Sequence, residues 1–240
     1  MNDSPNSITV REVVTECEIG TTRVVSIMTG EPWRENCYLV IDRRSNESIL
    51  IDPGACESLI LGVVSGSGSR VTRVLLTHGH HDHVGAVAPV CRALSLPCEI
   101  HSADIRLARQ APLWAFRFAG KEIAAPSPLL ALEGDSFRLG EATVRILSVP
   151  GHTPGSVIFQ LAGLCITGDT LLYQHIGRTD LPGGVASEIR VSVSALLAQL
   201  ADDIILFAGH GRTWTAGEAR EWWLSTEHAP PTRNEQPGFV

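Results

Sequence analysis

Short apolar stretches bounded by polar residues recur through the first half of the chain and predict β-strands. The apolar run at residues 71–76, followed closely by Gly79, predicts a buried strand. Apolar positions at helical spacing predict two helices in the same half. The predicted antiparallel strands are residues 23–27, 38–42 and 48–51, with a polar turn at 43–47, and the predicted helices are residues 57–64 and 84–96.

A second set of apolar runs follows in the other half of the chain, and each run ends close to a glycine. Glycine lets the backbone approach a neighbour closely or take a positive φ, so the ends of these strands can form tight loops. Two groups of strands with helices outside them predict an α/β fold. The predicted strands are residues 142–149, 156–161, 164–167 and 204–208, and a further helix is predicted at residues 216–225.

Length and charge restrict the possible partners. A chain of 240 residues can form one α/β domain with a large buried core. The net charge is −7 and basic residues are scattered, which argues against a nucleic-acid partner. Because no apolar stretch reaches the roughly 18 residues that span a bilayer, we expect no membrane contact. The polar, acidic N-terminus resembles neither a secretory signal nor a transit peptide.

The cysteines indicate a reducing compartment. None of the six shows CxxC spacing or a disulfide framework, so we interpret them as reduced thiols of a cytoplasmic protein. They are Cys17, Cys37, Cys56, Cys91, Cys98 and Cys165.

The segment after the predicted strand 71–76 carries the strongest chemical signal. Its sequence, Thr77-His78-Gly79-His80-His81-Asp82-His83, packs four histidines and a carboxylate into seven residues. Imidazole and carboxylate ligands suit zinc, iron or manganese, and the absence of cysteine points to a catalytic centre rather than a structural zinc site. We predict a metal site in the loop at the end of this strand.

Three further residues of types that bind metal ions also lie just after apolar runs. His152, Asp169 and His210 each follow an apolar run and stand next to glycine. Alone, such residues are common in turns and helix caps, but the histidine cluster makes a shared metal site the better interpretation. The side chain of His81 should point away from this site, and no ligand role is assigned to His101, His175 or His228.

Together these residues resemble the metallo-β-lactamase superfamily, and within it the glyoxalase II-like hydrolases of the short bacterial type. The resemblance covers residues from about 23 to 210. Its supporting stretches are the histidine cluster with His152, Asp169 and His210, then Glu35-Asn36-Cys37-Tyr38-Leu39-Val40, Ile51-Asp52-Pro53-Gly54, residues 150–156, Gly168-Asp169-Thr170 and residues 176–184.

The resemblance implies a four-layer αββα sandwich and two divalent metal ions, with zinc preferred and iron or manganese also compatible. It implies that Asp169 bridges the two ions and acts in catalysis with Asp82. The implied ligands are His78, His80 and His152 for the first ion, and Asp82, His83 and His210 for the second. The implied organisation is an N-terminal segment at 1–22, a catalytic domain at 23–213, and a C-terminal helix and tail at 214–240 packed on that domain.

The chemistry of such a site favours thioester hydrolysis. Two ions about 3.5–4 Å apart lower the pKa of a shared water toward neutrality, which supplies a metal-bridging hydroxide. A thiolate leaves without much protonation, whereas a lactam nitrogen needs an acid that these motifs do not supply. Asp169, where typical zinc β-lactamases carry cysteine, also argues against that activity, and Cys165 is interpreted as a core residue.

Other activities stay open at this point. A mononuclear-iron persulfide dioxygenase keeps a similar ligand set, and residues 177–180 fit both activities, whereas Thr170 and residues 181–184 favour the hydrolase. A lactone or ester hydrolase is a further alternative on the same site, and a non-catalytic binding protein is the least favoured. The expected substrate is a small thioester, which includes glutathione-linked ones, although the chain after His210 is shorter than the glutathione-binding helical domain of larger glyoxalase II enzymes.

Two more features are left with alternatives. Trp114, Phe116 and Phe118 either line a substrate pocket or pack in the core. Arg178 either contacts an anionic substrate or, as we prefer, forms a buried structural pair with Asp180. Aromatic residues in the C-terminal segment are compatible with packing or with a homodimer contact.

Overall fold

A computed structural model describes residues 13–30 and 33–227. Its strands are β1 Val13–Ile19, β2 Thr22–Met28, β3 Asn36–Asp42, β4 Glu47–Ile51, β5 Arg70–Leu75, β6 Cys98–Ile100, β7 Leu129–Ala131, β8 Ser136–Leu139, β9 Ala142–Ser148, β10 Val157–Leu161, β11 Leu164–Gly168, β12 Leu171–Leu172, β13 His175–Ile176, β14 Ile205–Ala208 and β15 Trp214–Thr215. Its α-helices are α1 Glu57–Ser67, α2 His81–Val84, α3 Val87–Leu94, α4 Ile105–Arg109, α5 Ala111–Ala119, α6 Ala186–Gln199 and α7 Ala216–Glu227, with a short 3₁₀ helix at Ser102–Asp104.

The strands form two large sheets. The first has the order β1-β2-β3-β4-β5-β6-β7, antiparallel from β1 to β4 and parallel from β4 to β7. The second has the order β15-β14-β11-β10-β9-β8, in which only β11 and β14 pair in parallel. The central strands β3 and β11 are buried along their whole length, as expected for strands covered on both faces.

The main core lies between the two sheets. Tyr38 on β3 and Phe207 on β14 meet there with ring centroids 5.6 Å apart, and the Tyr38 hydroxyl donates to the carbonyl of Ala208. Burying one such side chain contributes roughly 1.5–3 kcal/mol. Helices α1 and α3 pack on the outer face of the first sheet, and α6 and α7 on that of the second. The predicted α/β fold with four αββα layers is therefore confirmed.

The predicted strands are present to within two residues, but one helix prediction is wrong. The predicted helix 84–96 is interrupted, because α2 ends at Val84 and α3 begins at Val87. The break falls at Ala86, whose backbone N–H donates to the carbonyl of Pro53 over 3.0 Å, and the neighbouring Gly85 packs so closely that a Cβ atom there would lie 2.2 Å from the carbonyl oxygen of Gly54. The helical period alone does not reveal such a backbone contact, which comes from a distant segment of the chain.

The predicted C-terminal helix is confirmed as α7, whose Ala219 and Trp223 pack in the core beneath the second sheet. The proposed boundaries at 22 and 213 stay predictions, and residues 1–12 and 228–240, including His228, lie outside the described part of the chain. Among the helices that the structure describes, none combines the length and the apolar character required to cross a membrane.

Candidate metal centre

Five of the seven predicted ligands lie in loops that follow strands of the two sheets, and Asp82 and His83 lie on the short helix α2. His78 and His80 follow β5, Asp169 follows β11, and His210 follows β14. The two sheets meet at this point, because the backbone N–H of Val157 on β10 donates to the carbonyl of Thr77 over 2.9 Å. The loop prediction was wrong for His81 to His83, which lie on the short helix α2.

The first group consists of His78, His80 and His152, all buried. The Nε2 atom of His152 lies 2.8 Å from Nδ1 of His80 and 3.2 Å from Nε2 of His78. Burial, assisted by the neighbouring imidazoles, lowers the pKa of His80 to about 3 and that of His78 well below its usual value. The three rings are therefore neutral and present nitrogen lone pairs to one point, which is the state that binds a metal ion.

Hydrogen bonds hold the outer nitrogens of two of these rings. His152 Nδ1 donates to the carbonyl of Arg178 over 2.7 Å, so its Nε2 carries the free lone pair. His78 Nδ1 lies 3.0 Å from the hydroxyl of Thr77, and that hydroxyl donates to Asp52 over 2.6 Å. His78 therefore donates to Thr77 and also keeps Nε2 free for a ligand.

The second group consists of Asp82, His83 and His210. His210 Nε2 lies 3.2 Å from Oδ2 of Asp82, and His83 Nδ1 lies 3.0 Å from Oδ2 of Asp52. Burial alone would lower the pKa of His210, but the carboxylates of Asp169 and Asp82 outweigh it and raise this pKa to about 9. The raised pKa reflects the negative potential of these two carboxylates, which would also favour a bound cation.

Asp169 lies between the two groups. Its carboxylate oxygens are 3.7 Å from Nε2 of His152 in the first group, and 3.4 Å and 3.6 Å from Nε2 of His83 and His210 in the second. Burial opposes ionisation of this carboxyl, but His210 and His83 outweigh it and hold its pKa well below the usual value. An ionised carboxylate in this position can contact both groups at once.

The buried polar atoms of the site fit a pair of divalent cations. Nε2 of His83 and Oδ1 of Asp169 are buried and have no hydrogen-bond partner within the described residues. Such atoms carry a desolvation cost unless a ligand satisfies them, and a cation would do so. With three nearby carboxylates, those of Asp52, Asp82 and Asp169, the donor set suits ions of high charge. The individual ligand assignments remain predictions.

Sequence reasoning did not identify the residues that position these ligands. Asp52 accepts hydrogen bonds from the backbone N–H and the hydroxyl of Thr77 and from His83, and it takes a φ of 52°. Non-glycine residues rarely adopt such a φ, although Asp tolerates it better than most. The signal was an Asp at a strand end in Ile51-Asp52-Pro53-Gly54, but its partner Thr77 lies 25 residues away.

Asp104 is the second positioning residue and had no local signal. Its buried carboxylate accepts hydrogen bonds from the N–H of Gly79 at 2.9 Å, the N–H of Gly155 at 2.8 Å and the hydroxyl of Thr153 at 2.7 Å. One side chain therefore ties the loop of His78 and His80 to the loop of His152. The first ligand group depends on this connection.

Replacing Asp104 by asparagine should weaken metal binding by the first group about 10- to 100-fold, as for other residues that hold ligands in place. The amide NH₂ of the asparagine cannot accept a hydrogen bond and would face one of these donors, so at least one buried hydrogen bond would be lost. This loss should lower the free energy of unfolding by about 1–3 kcal/mol. Metal titration and denaturant unfolding measure both effects. Asp135→Asn, at an exposed carboxylate, is the control, and equal behaviour of the two variants would contradict the role of Asp104.

The structure also bears on the predictions made for His81, for the Arg178–Asp180 pair and for Cys165. His81 contacts the rings of Trp33 and Phe118 rather than a ligand group. Arg178 does pair with Asp180 over 2.7 Å, but the prediction of a buried pair was wrong, since about half of each side chain is exposed. Arg178 and Asp180 are only two residues apart, so their side chains can pair at the surface without being buried. Cys165 is a core residue, as predicted, and packs beneath the second sheet.

This four-layer sandwich, with groups of histidine and carboxylate ligands where its sheets meet, defines a metallo-hydrolase. Residues 30–210 match the family described as the metallo-beta-lactamase superfamily. The chain belongs to the metallo-beta-lactamase superfamily. The fold and its histidine and aspartate clusters imply divalent metal ions.

One related sequence and two solved structures indicate which members of the superfamily this chain resembles. The chain is 34% identical over 203 residues to hydroxyacylglutathione hydrolase GloC of Haemophilus influenzae, covering 82% of this chain and 94% of GloC. The solved structure of TTHA1623 in a di-iron-bound form is 36% identical with a TM-score of 0.73, over 80% of this chain and 95% of that one. BLEG-1, a B3 metallo-beta-lactamase, is 29% identical with a TM-score of 0.75, over 82% and 96%. The similarity to GloC supports the predicted glyoxalase II-like relation.

Proposed function

We propose that this protein hydrolyses acyl thioesters with two divalent metal ions. The observation that carries the proposal is the site itself, in which His78, His80 and His152 form one group, Asp82, His83 and His210 form another, and Asp169 lies 3.4–3.7 Å from members of both. A thioester suits such a site because its thiolate leaves without much protonation. The similarity to hydroxyacylglutathione hydrolase GloC supports the same substrate class.

Glu35 is a further buried carboxyl close to the site. Burial raises its pKa to about 8, against the opposing effect of His83, so it is largely protonated at neutral pH. It is fully buried, however, and its oxygens accept from the Thr29 hydroxyl and from the N–H of Gly54. Glu35 therefore has no access to a leaving group and does not supply the acid that a lactam would require.

The residues of the site have separate tasks in this proposal. When bound, two divalent ions lower the pKa of a water and polarise the substrate carbonyl. His78, His80 and His152 would hold one ion, Asp82, His83 and His210 the other, and Asp169 both. Asp82 uses Oδ2 toward His210, whereas its Oδ1 lies 3.9 Å from His81 and is the atom we assign to accept a proton.

We also propose the identity of the metal ions, the substrate class and the cellular location. We assign zinc, because neutral imidazoles and carboxylates without a thiolate suit it, with iron or manganese as compatible ions. The di-iron-bound form of TTHA1623 supports iron in a relative. A cytoplasmic location fits the six unpaired cysteines, and the net charge of −7 argues against a nucleic-acid partner. The proposed substrate is a small thioester, glutathione-linked ones included, and a homodimer stays a proposal.

Removal of the metal should abolish thioester hydrolysis, and restoring it should bring the activity back. Protein purified without chelator should contain about two ions per chain by elemental analysis and hydrolyse S-lactoylglutathione or another acyl thioester. After chelation the rate should fall to background, and zinc, iron or manganese should each be tested for recovery. A single iron per chain with oxygen uptake on glutathione persulfide would instead indicate the dioxygenase, and turnover of lactones alone would indicate the ester hydrolase.

A further inference from the structure

Helix α5 leaves large apolar side chains at the surface. Its buried residues are the small Ala111 and Ala115, whereas Leu113, Phe116 and Phe118 are 60%, 63% and 52% exposed. Large exposed apolar side chains can mark a binding surface, since covering them with an apolar partner is favourable. The core-packing interpretation of Phe116 and Phe118 is therefore wrong.

The aromatic residues of α5 lie on two different faces. Trp114 and Phe118 are four residues apart and stack, with centroids 5.7 Å apart and an interplanar angle of 16°. The ring of Phe118 also approaches that of His81, with centroids 5.6 Å apart and an interplanar angle of 34°. Phe116 is equally exposed but makes no ring contact among the residues that the structure describes. Only the Trp114–Phe118 face adjoins the metal centre.

His81 connects this face to the reaction site. It follows His80 and precedes Asp82 in the chain, and its Nδ1 lies 3.9 Å from Oδ1 of Asp82. His81 is buried, Trp114 is half-buried and Phe118 is half-exposed. His81, Phe118 and Trp114 thus form one continuous aromatic row, which begins beside the ligands and reaches the solvent.

The chemistry of the row decides which part of a thioester it accepts. His81 is buried and its Nδ1 lies 3.9 Å from Oδ1 of Asp82, whereas Phe118 has no polar atom and Nε1 of Trp114 is buried, so the solvent-exposed part of the row is apolar. A peptide-like thiol such as glutathione would lose hydrogen bonds to water on such a surface, and that loss is unfavourable. An apolar acyl group has no such cost and would cover the exposed ring of Phe118.

We propose that the row of His81, Phe118 and Trp114 binds the acyl group of the substrate, and that the preferred substrates are thioesters of apolar acyl groups. Phe118 is a specificity-determining residue in this proposal, because it lies between His81 and Trp114 and is the most exposed of the three. The inference rests on the proposed thioester hydrolysis and names the substrate class for that same site.

The test compares acyl groups on a constant thiol. The metal-loaded wild-type protein should hydrolyse hexanoyl-N-acetylcysteamine with a kcat/KM about 10- to 100-fold above that of the acetyl compound, because four additional methylenes are covered. Phe118→Ala should reduce this ratio about tenfold, mainly through a higher KM for the hexanoyl compound. Phe118→Leu, which keeps an apolar side chain, should restore part of the ratio.

Phe116→Ala is the matched control, since it removes the same side chain from the other face of the same helix. It should keep the wild-type ratio. A flat acyl profile in the wild type, or equal effects of the two alanine variants, would overturn the inference while thioester hydrolysis stands. Glutathione thioesters of the same acyl groups provide a second comparison. If Phe118→Ala changes kcat/KM according to the thiol and not according to the acyl group, the row binds the thiol and the inference is overturned.

Two further outcomes separate the remaining explanations. If Phe118→Ala converts a dimer to a monomer in light scattering and leaves the acyl ratio unchanged, the row is a contact between copies and the inference is overturned. If the metal-loaded wild type hydrolyses no thioester at all, the proposed function fails and this inference fails with it.

Discussion

Replacing Asp169 by alanine is expected to reduce kcat/KM for thioester hydrolysis by more than about 100-fold. Residues that only position a ligand typically contribute about 10- to 100-fold, and Asp169 itself faces both ligand groups at 3.4–3.7 Å. Its loss removes the carboxylate that connects the groups and leaves His83 and His210 without their strongest negative neighbour. Elemental analysis should show fewer than two ions per chain.

The control is Asp203→Ala, which removes an exposed carboxylate near β14 and should leave turnover and metal content unchanged. Thermal unfolding of both variants separates a local effect from loss of the fold. Near-wild-type turnover by the Asp169 variant with two ions bound would contradict the bridging role.

Replacing Gly209 by alanine should impair the site almost as strongly, although glycine has no functional group. The new Cβ would lie 2.1 Å from Oδ1 of Asp169 and 2.7 Å from Cε1 of His83, both in a tightly packed region. The backbone of Gly209 cannot retreat easily, because its N–H donates to Gly168 and its carbonyl accepts from Asn36. Crowding of this kind costs about 1–3 kcal/mol in stability and displaces a ligand side chain, so we expect about 100-fold lower kcat/KM.

The matched substitution is Gly62→Ala on helix α1, where a Cβ would meet nothing within 4 Å. Alanine favours the helix by up to about 1 kcal/mol, so this variant should be slightly more stable and fully active. The comparison uses kcat/KM, metal content and denaturant unfolding. Full activity of Gly209→Ala with two ions bound would show that the site accommodates the added methyl group.

The strands were predictable because their information is local. The apolar runs that became β9, β10, β11 and β14 are bounded by glycine or proline and are too short for alternative elements. The elements that were not predicted are mostly short: strands β1, β6, β7, β8, β12, β13 and β15 and helices α4, α5 and α6. Helix α6 buries Ile189, Val193, Leu196 and Leu197, which recur at helical spacing.

The candidate ligands were also accessible from the chain alone, since crowded histidines and their positions after strands are sequence properties. Their partners were not. Thr77 and Asp52 are separated by 25 residues, and Thr153 and Asp104 by 49. A single Asp followed by Pro or Ile has many ordinary explanations, and only the packing of the loops shows which carboxylate is enclosed and bonded.

The sequence by itself determined the α/β class, the strand ends and the residue types that could hold metal ions, because periodicity and ligand chemistry are written in neighbouring residues. The tertiary structure decided that Asp169 faces both groups, that Asp104 joins two loops and that Phe118 lies beside His81. These relations arise when two sheets close on one core and bring distant segments together. Burial then sets which of the polar groups must find partners and how each one is charged.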